Sequence, residues 1–294
     1  MARPWPWRPL LLGLLLVGLT ACERRLPEEK PRPDSAPATA QPAPPPAPEV
    51  IHYRRVPIPN AKRLFALRDS LGPRALLEVL KVNRVDLDHV RAGDSLVIPD
   101  GLREMQATDS LRHSPFPFAV PVLDSLPQLV LVSLRVQAFG AYGHGKLLRW
   151  GPISSGRREM PTPVGFYHVN WKDKERVSTE NEEWLLTWYM NLESLSGLSL
   201  HKYSLPGYAA SHACVRMLEE DARWLYSWVE QWRLTPDSTA VLRPGTPIVI
   251  YGKYAYGRRR PWRRLPEDPN AVTIPLGEIE GVLATYRVVG RDAR

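Results

Sequence analysis

A thiol, an imidazole and a guanidinium lie close together in the segment Ser211-His212-Ala213-Cys214-Val215-Arg216-Met217. A thiol becomes a useful nucleophile when a positive neighbour or a helix N-terminus stabilises its thiolate. Arg216 and the nearby backbone N–H groups are placed to supply that field. A base is also needed, and His201 lies thirteen residues before Cys214. These residues suggest Cys–His nucleophilic catalysis, and a buried structural cysteine beside incidental histidines is the alternative.

The N-terminus has the pattern of an export signal. A short basic stretch, residues 1–9, precedes ten apolar residues, 10–19, which are too few to span a bilayer as a helix. The stretch ends in Leu19-Thr20-Ala21-Cys22, which resembles the lipobox of bacterial lipoproteins. This resemblance implies a signal peptide over 1–21 and a lipid anchor on Cys22. The alternative is an ordinary signal peptide followed by a chance cysteine.

The cysteine count supports a reactive role for Cys214. The chain has only two cysteines, Cys22 and Cys214. If Cys22 carries lipid, no disulfide can form within the chain, and Cys214 is a lone thiol in an oxidising compartment. The net charge of +8 suits anionic membranes or wall polymers, and the export signal argues against nucleic acid as the partner.

Composition divides the chain before any element is assigned. Residues 22–50 are rich in proline and alanine and cannot bury a core, so we expect a disordered linker in polyproline II conformation. Residues 51–100 show a strand, two short helices separated by Gly72-Pro73, and a closing strand. We expect a second linker over 101–127, a β-rich domain over 128–252 with one helix after Cys214, and a basic extension over 253–294.

Within 51–100, the β-α-α-β order and the run Ala92-Gly93-Asp94-Ser95-Leu96-Val97-Ile98-Pro99 resemble the LysM module. The resemblance implies binding to the glycan of peptidoglycan. The usual Gly-Asp-Thr-Leu opening is replaced by Ile58-Pro59-Asn60-Ala61, so a spacer domain with no ligand remains the alternative.

Three landmarks in the later part of the chain resemble the L,D-transpeptidase catalytic family. The first is His201, a loop, and then Ser-His-Ala-Cys-Val-Arg over 211–216. The second is Pro161-Thr162-Pro163-Val164-Gly165-Phe166, and the third is the strand Gly245-Thr246-Pro247-Ile248-Val249-Ile250. The resemblance implies a mainly β chain, in which an L,D-transpeptidase-type domain follows a small LysM-like domain and a Pro-rich linker.

The same resemblance implies a role for each site residue. Cys214 attacks a stem-peptide carbonyl of peptidoglycan, and His201 takes the thiol proton and later activates the acceptor amine. Backbone N–H groups around Ala213 and Cys214 form the oxyanion hole. His212 and Arg216 shape the pocket and hold a substrate carboxylate, and Ser211 bonds locally. Ala213 stands where the family usually has Gly, so this position must avoid positive φ or carry strain.

The expected protein is therefore a lipid-anchored transpeptidase of the cell envelope that faces the periplasm or the outer side of the cytoplasmic membrane. Its partners are stem peptides and glycan strands. Hydrolysis by an L,D-carboxypeptidase or endopeptidase, and a non-catalytic wall-binding lipoprotein, remain alternatives. No metal-ligand spacing and no phosphate loop occur, so we expect no metal and no cofactor. His168 is interpreted as a packed or exposed histidine rather than a ligand. Trp184, Trp188 and Tyr189 are interpreted as core residues, and a place in a substrate cleft is the alternative. The basic run 258–264 is interpreted as a solvated loop, and contact with anionic lipid or wall polymer is the alternative.

Overall fold

The computed structural model describes residues 51–102, 111–178 and 183–288. The predicted signal peptide 1–21, the lipidation of Cys22 and the linker 22–50 lie outside the described residues. Among the residues it does describe, no helix is both long enough and apolar enough to cross a membrane.

Strands dominate the described part of the chain, which confirms the mainly β fold class. The strands are β1 Tyr53–Ile58, β2 Asp94–Pro99, β3 Leu129–Ser133, β4 Ala138–Gly143, β5 Lys146–Ser154, β6 Gly165–His168, β7 Lys172–Val177, β8 Leu185–Glu193, β9 Leu198–Lys202, β10 Val215–Met217, β11 Arg233–Leu234, β12 Val241–Arg243 and β13 Pro247–Tyr251. The α-helices are α1 Ala61–Asn83, α2 Glu219–Trp228 and α3 Leu276–Tyr286.

Nine of these strands form one mixed sheet in the order β6-β13-β3-β4-β5-β10-β9-β8-β7. Most neighbours are antiparallel, but β13 is parallel to β3 and β10 is parallel to β9. The β9–β10 pair is the one that matters for chemistry, because β9 ends in the His201 segment and β10 begins directly after Cys214.

The central strands are buried on both faces of the sheet. Successive side chains of a strand point to opposite faces. Leu129 and Leu131 of β3 accordingly pack into one core cluster, whereas Val130 and Val132 pack into another. The apolar run of β3 therefore reflects two buried faces, as expected for a strand covered on both sides.

Residues 51–102 form a small unit in which β1 and β2 pair antiparallel beside α1. The span α1 consists of two helices that meet at Gly72, whose φ of +72° and ψ of 171° are not helical, so the predicted break at Gly72-Pro73 is confirmed. Val79 and Ile98 lie in the core of this unit.

The C-terminal segment packs on the main core. Ile279 and Leu283 of α3 are buried in the same cluster as Val249 of β13. The interpretation of 258–264 as a wholly solvated loop is wrong at Trp262, which is fully buried. Removing a large indole from water stabilises the fold.

Candidate active site

Strand pairing places Cys214 beside β9. In the parallel β9–β10 register, Val215 lies opposite Leu200 and Arg216 lies opposite His201. Residues two apart on a strand share a face, so Cys214 and Arg216 lie on the same side of the sheet as Ser199 and His201. The Sγ atom of Cys214 lies 3.2 Å from the Oγ atom of Ser199, a contact that no motif in the chain predicts.

A turn carbonyl also contacts the thiol. The Sγ atom of Cys214 lies 3.6 Å from the carbonyl oxygen of Gly197, in the turn between β8 and β9. That carbonyl can only accept, so the resting thiol donates to it and leaves its sulfur as an acceptor for the Ser199 hydroxyl. The same carbonyl accepts from the hydroxyl of Tyr189 at 3.2 Å.

His201 is held as a neutral imidazole with a defined tautomer. Its Nδ1 atom lies 3.0 Å from the carbonyl oxygen of Lys202, so Nδ1 carries the proton and Nε2 is the basic atom. Burial of the side chain is the main cause that lowers the pKa of His201 from 6.5 to about 4. The hydrogen bond to Lys202 acts to raise the pKa, and the positive charge of Arg216 acts to lower it. His201 is therefore unprotonated at neutral pH, and the lone pair of Nε2 is available to a proton donor.

Two aromatic rings fix the plane of the His201 imidazole. Tyr189 is stacked on it, with centroids 6.2 Å apart and an interplanar angle of 18°. Tyr203 meets it edge-on at 6.1 Å and 73°. The interpretation of Tyr189 as a packing residue holds, but the ring it packs against is the predicted base.

Ala213 has φ +74°, in the left-handed region that favours glycine. Its carbonyl oxygen accepts a hydrogen bond of 2.5 Å from Oγ1 of Thr162, which lies in the second landmark segment. Because a trans peptide is planar, a carbonyl directed at Thr162 turns the N–H of Cys214 the opposite way. The hydroxyl of Ser211 donates to the Cys214 carbonyl, the local bond expected for that serine.

Arg216 and His212 both line the cleft that contains Cys214. The guanidinium of Arg216 stacks over Tyr203 at 4.6 Å, and burial is the main cause that lowers the pKa of Arg216. His212 accepts through Nε2 from Nη1 of Arg157 at 2.6 Å. The sequence alone does not single out Arg157. One of two adjacent arginines in the run Gly156-Arg157-Arg158 carries no signal of a functional role.

Cys214, His201 and Arg216 line one open cleft with a volume of about 340 Å³, which includes space continuous with solvent. The cleft brings together five of the six predicted site residues of the catalytic segment, and Ala213 lies in the backbone between His212 and Cys214. Its lining residues are Ser178, Trp184, Leu186, His201, Tyr203, Ser211, His212, Cys214 and Arg216. Trp184 contacts His212 with centroids 5.0 Å apart, so it is a cleft residue rather than the core residue that the sequence favoured.

Other candidates lie elsewhere. His168 is on β6 and packs edge-on against Phe166, and Trp188 donates to Glu219 at the start of α2. Neither residue lines the cleft. Across 51–102, 111–178 and 183–288, no group of three or more His, Cys, Asp or Glu is arranged to hold a metal ion.

Comparison with known proteins identifies the family of this site. The family model of the L,D-transpeptidase catalytic domain, YkuD, matches residues 127–250. L,D-transpeptidase 1 of Mycobacterium tuberculosis is 26% identical over 114 residues, which cover 34% of this chain and 45% of that protein. The chain therefore matches less than half the length of this curated relative.

Solved structures with similar folds include two L,D-transpeptidases. The enzyme from Mycobacterium smegmatis is 18% identical, with a TM-score of 0.34, over 43% of this chain and 59% of that one. The one from Stackebrandtia nassauensis is 21% identical, with a TM-score of 0.35, over 44% of this chain and 57% of that one. The cleft with Cys214 and His201 lies within residues 127–250. On the family match, these residues form an L,D-transpeptidase catalytic domain of the YkuD family.

Proposed function

We propose that this protein is a peptidoglycan L,D-transpeptidase that works through an acyl-enzyme on Cys214. The observation that carries the proposal is the placement of Cys214 and neutral His201 in one cleft, with the basic Nε2 atom of His201 left free of the Lys202 bond. A histidine that serves only in packing would not require a cysteine in the same cleft. The family match names the reaction class that it suits.

In the first half-reaction, Cys214 is acylated by a donor stem peptide. Sγ attacks the carbonyl carbon of the third stem residue while His201 Nε2 takes the thiol proton. The C–N bond to the terminal D-alanine breaks, and His201 returns the proton to the departing amine. A thioester on Cys214 and free D-alanine are the products.

In the second half-reaction, the thioester is transferred to an amine. His201 removes a proton from the acceptor amine as its nitrogen attacks the thioester carbonyl. The C–S bond breaks, Cys214 regains its proton, and a new amide crosslinks two stems or attaches the wall. Water in place of the amine would give hydrolysis, so the acceptor decides between the two outcomes.

The backbone around Ala213 supplies the electrostatic part of catalysis. The bond from Thr162 to the Ala213 carbonyl favours an orientation in which the Cys214 N–H is available to an oxyanion. Donors of this kind contribute about 3–4 kcal/mol each to transition-state stabilisation. The charge of Arg216 favours both the thiolate and a substrate carboxylate, because its planar fork binds carboxylates with two hydrogen bonds.

The cellular setting is part of the same proposal. A lipidated Cys22 anchors the chain at the envelope through the 22–50 linker, and the LysM-like unit over 51–100 contacts glycan strands. Cys22→Ala is expected to release the protein from membranes or to stall its processing. An unchanged membrane fraction with an unmodified Cys22 peptide would remove the anchor.

The decisive experiment uses Cys22→Ser protein, in which Cys214 is the only thiol, and compares it with the Cys22→Ser/Cys214→Ser double variant. Incubation with a carbapenem, followed by intact-protein mass spectrometry, is expected to show one adduct on the first protein and none on the second. Incubation with a tetrapeptide muropeptide is then expected to yield crosslinked dimers. Tripeptide alone would support the hydrolase, and neither product nor adduct would support a non-catalytic binding protein.

A further inference from the structure

The loop between His201 and Cys214 is held by residues outside the catalytic domain. We call residues 203–210 the catalytic loop. We call residues 83–86, which begin at the last residue of α1, the 83–86 turn. The N–H of Asp86 donates to the carbonyl of Leu205 at 2.9 Å. In return, the N–H of Leu205 donates to Oδ2 of Asp86 at 2.7 Å. Val85 and Pro206 form an antiparallel bridge next to these bonds.

The 83–86 turn is itself rigidly attached on two sides. The side-chain amide of Asn83 bonds both the carbonyl and the N–H of Val97, at 2.7 and 2.9 Å, which fastens the turn to β2. The next residue, Arg84, is almost fully buried between the rings of Trp150 and Trp262, each 5.4 Å from its guanidinium carbon. A turn held in this way is a fixed support and not a mobile surface loop.

The catalytic loop transmits this support to the cleft. Leu205 is fully buried, so its backbone has no water to replace the Asp86 bonds. Two residues before it, Tyr203 donates from its N–H to the carbonyl of Met217 at 3.2 Å and carries the ring beneath Arg216. The same ring meets His201 edge-on. Movement of Leu205 therefore displaces Tyr203, whose ring contacts both Arg216 and His201.

We propose that Asp86 is a positioning residue for the reaction, acting through Leu205 and Tyr203 on Arg216 and His201. This inference rests on the proposed function and extends it, because Asp86 lies outside residues 127–250. The small unit of residues 51–102 then contributes to catalysis through Asp86, independently of any glycan binding. Deleting that unit would expose Trp150 and Trp262, so point variants of the whole chain are the appropriate test.

The test compares Asp86→Ser with His89→Ala. Asp86 also accepts from the N–H of His89 at 3.0 Å and contacts its Nδ1 at 2.6 Å. Asp86→Ser keeps an N-cap hydroxyl for His89 but shortens the reach to Leu205. His89→Ala removes the imidazole contact and leaves the Leu205 bond in place. Asp86→Asn, which retains an acceptor oxygen for Leu205, is the conservative rescue.

Asp86→Ser is expected to lower kcat for crosslinking, and the rate constant of Cys214 acylation by a carbapenem, by about 10- to 100-fold, because small misplacement of reacting groups costs that much. His89→Ala is expected to keep both constants close to wild type, and Asp86→Asn to recover most of the loss. A merely structural role predicts lower thermal stability in Asp86→Ser, with unchanged acylation in the folded fraction.

Hydrogen exchange at the Leu205 amide separates this inference from the proposed function, because it does not depend on any reaction. Faster exchange in Asp86→Ser together with slower acylation supports the positioning role. Faster exchange with wild-type acylation overturns it. If the wild-type protein forms neither adduct nor product, the proposed function fails, and the positioning role that rests on it fails with it, whatever the exchange shows.

Discussion

The Oγ atom of Ser199 lies 3.2 Å from the Sγ atom of Cys214, and Ser199 is fully buried. Once His201 has taken the thiol proton, the Ser199 hydroxyl is a donor to a charged sulfur. Hydrogen bonds to charged groups contribute about 1.5–3 kcal/mol. Ser199→Ala is therefore expected to shift the pH midpoint of Cys214 alkylation by iodoacetamide upward by about one unit or more.

The matched control for this change is Ser227→Ala, on α2. That hydroxyl donates to the carbonyl of Arg223 and does not line the cleft. Its removal is expected to leave the alkylation profile where it is in the wild type. A Ser199→Ala profile that coincides with wild type would show that the hydroxyl does not stabilise the thiolate.

Ala213→Gly is expected to stabilise the protein by about 1 kcal/mol, because φ +74° is strained for alanine and ordinary for glycine. Urea denaturation followed by circular dichroism measures the change. Ala210→Gly, three residues earlier at a φ that is not positive, is the control and is expected to be neutral or destabilising. Equal effects of the two substitutions would contradict strain at Ala213.

The chemistry of the site was more predictable than its surroundings. Cys214, His201 and Arg216 stand out because a lone thiol beside charged groups is unusual in a chain whose N-terminus has the pattern of an export signal. The strain at Ala213 could also be anticipated, since the residue stands where glycine is usual. Ser199 could not, because a serine between Leu198 and Leu200 looks like any strand serine until the β9–β10 register is known.

Local sequence patterns predicted much of the fold. The features that they did not predict depend on contacts between residues far apart in the sequence. The kink at Gly72-Pro73 and the acidic first turn of α2 are local features, and the structure contains both. Arg84 looks like a solvent-exposed arginine at the end of a helix. Its burial depends on Trp150 and Trp262, which are far away in sequence, so no local pattern reveals it.

Acid is expected to destabilise the protein through His201. The unfolded chain binds a proton at His201 below about pH 6.5, whereas the folded chain binds one only below about pH 4. Between these values the unfolded state holds more protons, so lowering the pH favours unfolding. The loss between pH 7 and pH 4 amounts to about 3 kcal/mol from this residue.

His201→Gln removes the titrating group, so its stability is expected to fall less between pH 7 and pH 4 than that of the wild type. Urea midpoints measured at half-unit pH intervals give the difference. His52→Gln, at an exposed position, is the control and is expected to follow the wild-type curve. Parallel curves for wild type and His201→Gln would show that His201 does not titrate as a buried base.

Arg84→Ala is expected to destabilise the described fold by roughly 2–4 kcal/mol, measured by urea denaturation. The guanidinium donates to the carbonyls of Val136, Lys81 and Val82 at 3.1, 3.0 and 2.9 Å. A buried carbonyl without a donor costs about 1–3 kcal/mol, and the lost packing between two indoles adds a cavity. The relief of no longer burying a charge offsets part of this cost.

Arg54→Ala is the matched control, because Arg54 is exposed and pairs with Asp100 at 3.5 Å. Its removal is expected to change stability by less than about 1 kcal/mol. Since Val82 and Val97 share a core cluster with Trp150 and Trp262, both variants are expected to unfold in one transition. An Arg84→Ala protein as stable as Arg54→Ala, or two separate transitions in the wild type, would show that the N-terminal unit is not fastened to the catalytic domain through Arg84.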